Sequence, residues 1–367
     1  MLRIDRRLIA HIEWPLLVLA LMVSAVGLIT ILSATHHSAR LLSPYVLRQA
    51  SFMGLALIVM VVAISVDYRS LNRYAYALYA AVVGGLLLVP FIGVSGGGAR
   101  RWLNLGPFGL QPSEFMKIAL TVALAHQLHR VAGERRMPLR SLIIPVMLIG
   151  LPAGLILKQP DLGSAIALAM GALTLLIIAG LPMRLLVIGA LVVGPLLPYA
   201  WHHLKPYQQR RLTSFVDPEA DPLGSGYHVL QSQIAIGSGQ LYGKGYLRGT
   251  QNKLNFLPEQ HTDFIFSVYA EEWGFAGAAA LLLLYLALVL RGAYIASRAR
   301  DNLGALLAAG LTGTIFWQMV INISMTSGVV PVVGITLPFL SYGGSSMLAL
   351  FAAIGLLMNV SMRRYTF

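Results

Sequence analysis

The chain has 367 residues, 57% of them hydrophobic and only 11% charged. Soluble domains carry about 25% charged residues, so this composition excludes a soluble protein. The net charge of +13 does not mark a nucleic-acid binder, because the basic residues sit in short gaps between apolar runs rather than on a polar domain. With no cysteine in the chain, disulfides, thiolate metal sites and a cysteine nucleophile are also excluded.

Arg3, Arg6 and Arg7 precede a first apolar run, from Trp14 to about Ala34. At roughly 20 residues it is too long for the core of a signal peptide and reads as a retained membrane helix. Comparable runs follow near 48–66, 73–93, 114–130, 141–157, 162–180, 183–201, 263–290, 303–326 and 340–361. The prediction is an all-α polytopic membrane protein of about ten transmembrane helices. Separation is weakest between 141 and 201, where only residues 158–161 and 180–184 intervene. No internal repeat is visible, which removes sequence support for an inverted-repeat transporter.

Lysine and arginine set the sidedness. With an even count, the gaps on one side hold Arg3, Arg6, Arg7, Arg69, Arg73, Arg130, Arg135, Arg136, Arg140, Arg184, Arg291, Arg298, Arg300, Arg363 and Arg364. The short gaps on the other side hold only Arg40, Arg48, Arg100, Arg101 and Lys158. The bias predicts both termini in the cytoplasm. One long connection, 202–262, then falls outside, giving a single transmembrane domain over 1–367 with a large extracytoplasmic loop between helices seven and eight. Structureless loops of such length are uncommon unless functional. The amphipathic stretch 228–236 predicts a short interfacial helix within it.

The 14 acidic residues can be weighed one by one. Asp5, Glu13, Asp67, Glu134 and Asp301 lie in or beside cytoplasmic gaps and read as solvated charges. Glu114, Asp161, Asp217, Glu219, Asp221, Glu259, Asp263, Glu271 and Glu272 all map to the outer side or outer halves of helices. Carboxylates gathered on one face suggest a polar cavity there. Glu114 and Lys117, three apart in Gln111-Pro112-Ser113-Glu114-Phe115-Met116-Lys117, share a helix face. They read either as a structural ion pair or as a cation aimed at an anionic substrate.

Asp263 sits at the outer mouth of the eighth helix, after Leu257-Pro258-Glu259-Gln260-His261-Thr262. Thr262 is a predicted N-cap. Asp263 could serve the helix start alone, or accept a proton from a substrate hydroxyl. Glu271 and Glu272, deeper in the helix, read as buried partners for cations or backbone. Between the last two helices, residues 327–346 carry two prolines and several glycines at membrane depth. Broken backbone is tolerated there only when buried in protein or lining a cavity, so this is a candidate re-entrant wall. No nucleotide-binding fingerprint is present: Ser95-Gly96-Gly97-Gly98 lacks the strand context one requires. The pairs His36-His37 and His202-His203 lack carboxylates at ligand spacing, so a structural metal is not expected.

Residues 328–346, the run Leu257-Pro258-Glu259-Gln260-His261-Thr262-Asp263-Phe264 and Gln111-Pro112-Ser113-Glu114 together resemble the SEDS family of bacterial cell-wall proteins (shape, elongation, division, sporulation). The likeness covers essentially the whole chain. Pro331-Val332-Val333-Gly334 and the compact length are similar to its elongation branch. The resemblance implies a bacterial inner-membrane glycosyltransferase that polymerises lipid II into β-1,4 glycan at the outer leaflet. It implies a class B penicillin-binding protein (a transpeptidase) as partner, other elongation-complex proteins, and a donor glycan on undecaprenyl diphosphate. It also places the family's essential aspartate on Asp263.

The expected reaction is an inverting displacement in which Asp263 acts as base and cations stabilise the departing diphosphate. The candidate substrate-binding residues are Lys117 with Glu114, Arg48, Arg101, and from the long loop Lys244 and Arg248. No cofactor is required by these residues. A divalent cation, magnesium or manganese, bridging the diphosphate stays an open expectation. Two rival readings are a flippase for lipid-linked precursors and a non-catalytic scaffold of the cell-wall machinery. A flippase needs polar residues along a path from the inner side, and the inner halves of these helices carry few.

Overall fold

A computed structural model describes residues 12–36, 43–96, 99–105, 108–130, 139–203, 206–217, 224–253 and 260–365. The elements in order are α1 (Trp14–Ala34), α2 (Pro44–Ser65), α3 (Tyr68–Arg73), α4 (Ala75–Ile92), β1 (Gly93–Gly96), β2 (Ala99–Leu105) and β3 (Phe108–Leu110). Then come α5 (Pro112–Leu128), α6 (Ile143–Lys158), α7 (Leu162–Ile178), α8 (Met183–His203), α9 (Pro206–Val216), α10 (Ser225–Ser238) and α11 (Thr250–Lys253). The chain ends with α12 (Ile265–Ser297), α13 (Asn302–Thr326) and α14 (Gly344–Met362). A helix occupies each of the ten predicted spans. Among the described residues, seven helices are long and apolar enough to cross a membrane, and α7 is a shorter apolar one.

Helix starts follow local chemistry. Proline occupies the first turn of α1, α2 and α5, where its missing N–H costs nothing. Asp161 and Asp301 cap α7 and α13 by accepting from the Ser164 and Gly304 amides. The apolar helices then sort by burial. In α14 and α13, 89% and 72% of the spanning window is buried, so these two form the centre; α2 and α6, at 17%, lie at the rim. Their exposed Val61, Val62, Val146 and Met147 are the surface lipid would cover. Small residues permit the closest crossings. A methyl group on Gly355 of α14 would lie 2.6 Å from the Met60 carbonyl of α2.

The strands β1, β2 and β3 form an antiparallel meander, in that order, between α4 and α5. This corrects the reading of residues 95–98 as lacking strand context: Ser95 and Gly96 belong to β1. The strand leads into another strand rather than a helix, so a phosphate loop is still unsupported. A bulge between Val94 and Ser95 leaves Arg101 without a partner in the β1 register. Bulges re-aim side chains, and Arg101 turns toward the α6–α7 corner.

The described parts of the long connection carry the helices α9, α10 and α11, with non-helical backbone over 239–249. α10 spans the predicted 228–236 stretch, and its Val229, Ser232 and Ala235 are buried. Ser232 Oγ donates to the Thr326 carbonyl and meets Ser267 Oγ at 2.6 Å, tying α10 to α13 and α12. α9 is a further helix that hydropathy did not predict. Glu219, Asp221 and residues 254–259 of the connection lie outside the described residues, as do Asp5, Glu134, Arg3, Arg6, Arg7, Arg40, Arg135, Arg136 and His37.

α12 is interrupted at Gly274, where φ is 65° and ψ is −164°. Residues 240–245 enter the gap. Lys244 and Gly245 amides donate to the carbonyls of Glu271 and Glu272, both at 3.0 Å, while the Phe275 and Ala276 amides donate to Gln240 and Leu241 carbonyls. Backbone groups freed by the break are thus satisfied by the loop. Gly274→Ala should cost about 2–5 kcal/mol, from strain at a glycine-only conformation and from a clash. The added carbon would sit 2.3 Å from the Gly243 nitrogen. The check is thermal unfolding of the purified protein; an unchanged midpoint contradicts the account.

At the predicted inner end one of the carboxylates read as solvated, Glu13, is corrected, while Asp67 and Asp301 stay partly exposed in surface pairs. Glu13 is buried, accepting from Arg291 at 2.5 Å and from Ser361 at 2.8 Å. Asp67 pairs with Arg363 at 3.2 Å and Asp301 with Arg69 at 3.4 Å. Tyr68 donates to Asp301 at 3.0 Å. Burial, and next the Asp301 charge, push its hydroxyl up to about 12, so it remains a donor. A guanidinium group pairs with each of the three, and of these only Glu13 is shut off from solvent.

Candidate active site around Asp263

The non-helical segment between α13 and α14 is the hub of the site, and it runs into the bundle. At Gly27, in the middle of α1, an added methyl would collide with the carbonyls of Phe339 and Leu340. Tyr285 of α12 donates its hydroxyl to the Pro338 carbonyl. The re-entrant reading therefore holds, and the broken backbone is buried in protein as membrane physics requires. Ser341 and Tyr342 then turn back to the chain before α12. Ser341 Oγ donates to the Thr262 carbonyl at 2.7 Å, and the Tyr342 amide donates to the His261 carbonyl at 2.9 Å. Gln49 of α2 accepts from the Gly343 amide and donates to the Ser341 carbonyl.

Asp263 is fixed by its backbone. Its carbonyl accepts from Asn322 Nδ2 at 2.9 Å, and the same amide donates to the Ile335 carbonyl at 2.6 Å. One buried side chain of α13 thus clamps Asp263 to the re-entrant segment. The predicted Thr262 cap is corrected. α12 begins at Ile265 with Phe264 as N-cap, because residues 261–263 are held crosswise by the hub. Asp263 itself is half-buried in the turn ahead of the helix.

Gly334 faces the Asp263 carboxylate. Its φ is 71°, a left-handed backbone that favours glycine. A methyl group built on it would lie 3.2 Å from Asp263 Oδ2 and 3.8 Å from Arg211 Nη1. Arg211 comes from α9 and donates to the Val332 carbonyl at 3.3 Å. The site therefore joins a carboxylate, a guanidinium and a side-chain-free stretch of backbone. Arg211 escaped the sequence reading because sidedness was judged from the short gaps alone. The signal present was Arg210-Arg211 in the segment predicted to lie outside, against the charge bias.

Glu114 and Lys117 form an ion pair of 2.8 Å, with side chains 7% and 3% exposed. They line a small pocket with Thr314 and Gln318 of α13 and Ala349 and Ala353 of α14. Gln318 lies one helical turn from Asn322, so one face of α13 serves both the pocket and Asp263. Glu114 Oε2, Gln318 Oε1 and Ser113 Oγ are buried without hydrogen-bond partners.

The other predicted cations are not gathered at Asp263 by any contact seen. Arg101 donates to the Gln159 and Pro160 carbonyls and lies 3.8 Å from Asp161. Lys244 is 2.7 Å from Glu271, which is fully buried and also accepts from the Thr250 and Gln251 amides. Glu272 accepts from Ser33. Both glutamates thus act as the buried partners expected of them. Arg48 and Arg248 are exposed. Among the described residues no group of three or more histidine or acidic side chains converges to hold a metal. A divalent cation at Asp263 would take its other ligands from substrate phosphate and water.

These features define a multi-pass helical membrane protein whose re-entrant segment holds one carboxylate at the mouth of a helix. The FtsW/RodA/SpoVE family, described as cell cycle proteins, matches residues 13–366, and the chain belongs to it. It is 39% identical over 355 residues to the peptidoglycan glycosyltransferase MrdB of Escherichia coli, covering 96% of this chain and 94% of that one. It is 33% identical to the peptidoglycan glycosyltransferase RodA of Treponema pallidum, covering 97% and 99%. Its fold is similar to a chain from a peptidoglycan synthase complex that coordinates polymerization and crosslinking, with TM-score 0.83, 35% identity and coverage of 97% and 99%. The rod shape determining protein RodA of Thermus thermophilus gives TM-score 0.73, 31% identity and coverage of 97% and 98%.

Proposed function

We propose that the chain is a peptidoglycan glycosyltransferase of the elongation branch, polymerising lipid II at the outer leaflet of the bacterial inner membrane. Both termini face the cytoplasm in this reading, and a class B penicillin-binding protein is the partner. The observation that carries it is the clamped, half-buried Asp263 at the predicted outer mouth of α12, within a chain whose relatives bear that activity along nearly their whole length.

Asp263 takes the proton from the 4-hydroxyl of the acceptor GlcNAc. The oxygen forms a bond to C1 of the donor MurNAc, and the C1–O bond to diphosphate breaks with its electron pair on the leaving group. One displacement converts an α-linked donor into a β-1,4 linkage. Glycoside hydrolysis pairs two carboxylates, but a diphosphate leaves without protonation, so a single base suffices. Positive charge must meet the leaving group. Arg101 and Lys244 are already committed to carbonyls or carboxylates, which favours structural roles for them; Arg48, Arg248 and Lys117 stay candidates. A metal ion, when bound, would neutralise diphosphate charge.

The test is polymerisation of fluorescent lipid II by the purified chain, alone and with a class B transpeptidase. Lipid-linked glycan strands should form. If the chain makes none in either mixture yet moves lipid II across vesicle membranes, the flippase reading replaces this one.

A further inference from the structure

We propose that the predicted inner end of α12 binds an anionic phospholipid, with the phosphodiester against Arg298 and Tyr294 and an acyl chain along the helix. The site lies at the opposite end of α12 from Asp263. In the proposed orientation it faces the inner leaflet, and its chemistry is the same on either side.

Three guanidinium groups surround one tyrosine ring there. Arg291 lies 4.8 Å from the centroid of Tyr294, Arg298 5.8 Å and Arg364 6.0 Å. Arg291 and Tyr294 stand on α12, Arg298 ends it, and Arg364 follows α14. Like charges gathered this closely repel, and an exposed ring face attracts cations only weakly. Glu13 neutralises Arg291, which it holds at 2.5 Å. Arg298 is exposed and meets no carboxylate among the described residues. An anion at Arg298 relieves the repulsion, and its planar fork of donors matches the oxygens of a phosphodiester.

The apolar surface leading to the cluster has the length of one leaflet. Leu283, Leu286, Leu290 and Tyr294 are three and four apart, and Arg298 continues the row, so they share one face of α12. The three leucines are at least half exposed, and Tyr294 is exposed as well. The opposite face, with Tyr285, Leu288 and Ile295, is buried in the bundle. From Leu283 to Tyr294 the rise is about 16 Å, close to half of a hydrocarbon core of about 30 Å. An acyl chain lying along the leucines brings its phosphodiester level with Tyr294 and Arg298. Tyrosine suits that depth, with its ring in the apolar layer and its hydroxyl in the polar one. This continuity selects a lipid over a soluble anion, which would meet the arginine alone.

The headgroup would sit where three membrane helices already meet. Glu13, at the start of α1, accepts from Ser361 of α14 as well as from Arg291 of α12. Basic pockets between helix ends are places where anionic headgroups bind, and a lipid here would fasten the ends of α1, α12 and α14 together.

The test is native mass spectrometry of the full-length protein in detergent, titrated with phosphatidylglycerol or phosphatidylcholine, with glycerol phosphate as soluble competitor. The wild type should bind phosphatidylglycerol in preference to phosphatidylcholine, and glycerol phosphate should not displace it. Arg298→Gln should weaken phosphatidylglycerol about fivefold, the effect of one basic residue at a membrane surface, while Arg298→Lys retains most of the affinity. Tyr294→Leu keeps every charge but removes the ring that gathers them, and should weaken the lipid about two- to fivefold. Arg184→Gln removes the same charge from exposed α8 at the same predicted end and should change nothing. Thermal midpoints of all variants in phosphatidylcholine should match the wild type. Equal affinity of the wild type for the two lipids overturns the proposal, as does displacement by glycerol phosphate. So does an equal effect of Arg298→Gln and Arg184→Gln, whether both weaken the lipid or neither does.

Discussion

Asp263→Ala should abolish glycan polymerisation while leaving the protein folded. The expected loss in kcat is about 100- to 10,000-fold, the range for removing a general base. Folding should survive because the Asp263 carbonyl, which Asn322 holds, is retained by alanine. The carboxylate is half-buried beside open backbone rather than inside the core. Two measurements check this: the rate of strand formation from lipid II, and the thermal midpoint of the purified variant. Wild-type rates in the variant would falsify the assignment of Asp263. A lowered midpoint would show instead that the side chain braces the turn before α12.

Lys117→Ala should cause a large loss of stability, about 3–5 kcal/mol. Its partner Glu114 is almost wholly buried, and Glu114 Oε2 already lacks a hydrogen bond. Removing the ammonium leaves a carboxylate without its charge partner in a pocket lined mainly by apolar side chains. The double variant Glu114→Gln with Lys117→Met removes both charges and should recover most of the stability. A single variant that melts like the wild type would contradict the buried-pair account. Activity in the stable double variant then separates the two original readings. A fully active double variant makes the pair structural, and an inactive one makes Lys117 part of substrate handling.

The helices were legible because each apolar run is long, nearly uncharged and bounded by prolines, capping residues or arginines. Asp161, Asp301 and Ser43 do at the helix starts what their side-chain chemistry allows. The β meander was not legible. Its strands have four, seven and three residues, too short and glycine-rich for a period to emerge. α9 was hidden for a different reason: its sequence, Pro-Tyr-Gln-Gln-Arg-Arg-Leu-Thr-Ser-Phe-Val, is polar enough to pass for loop.

At the site, spacing found Glu114 with Lys117 because the two are one turn apart. It could not find Lys244 with Glu271, or Arg101 with Asp161, since those pairs form only when distant segments meet. That is why two cations that looked available turned out to be occupied. Asp263 was visible as one of nine outer carboxylates, and family resemblance singled it out. The neighbour that structure alone supplies is Arg211, brought across by α9 and anchored on the segment that carries Gly334.

The break in α12 makes the outer part of that helix a lever. Residues 240–245 are hydrogen-bonded on both sides of Gly274, so the long connection and the membrane helix share one joint. Above the joint, α12 runs directly up to the turn that holds Asp263. The short arm of α12, between Gly274 and the turn, is therefore bonded at its far end to the long connection. Hinges of this kind absorb motion in a few backbone angles. Here a pivot at Gly274 would work against the Asn322 clamp on the Asp263 carbonyl.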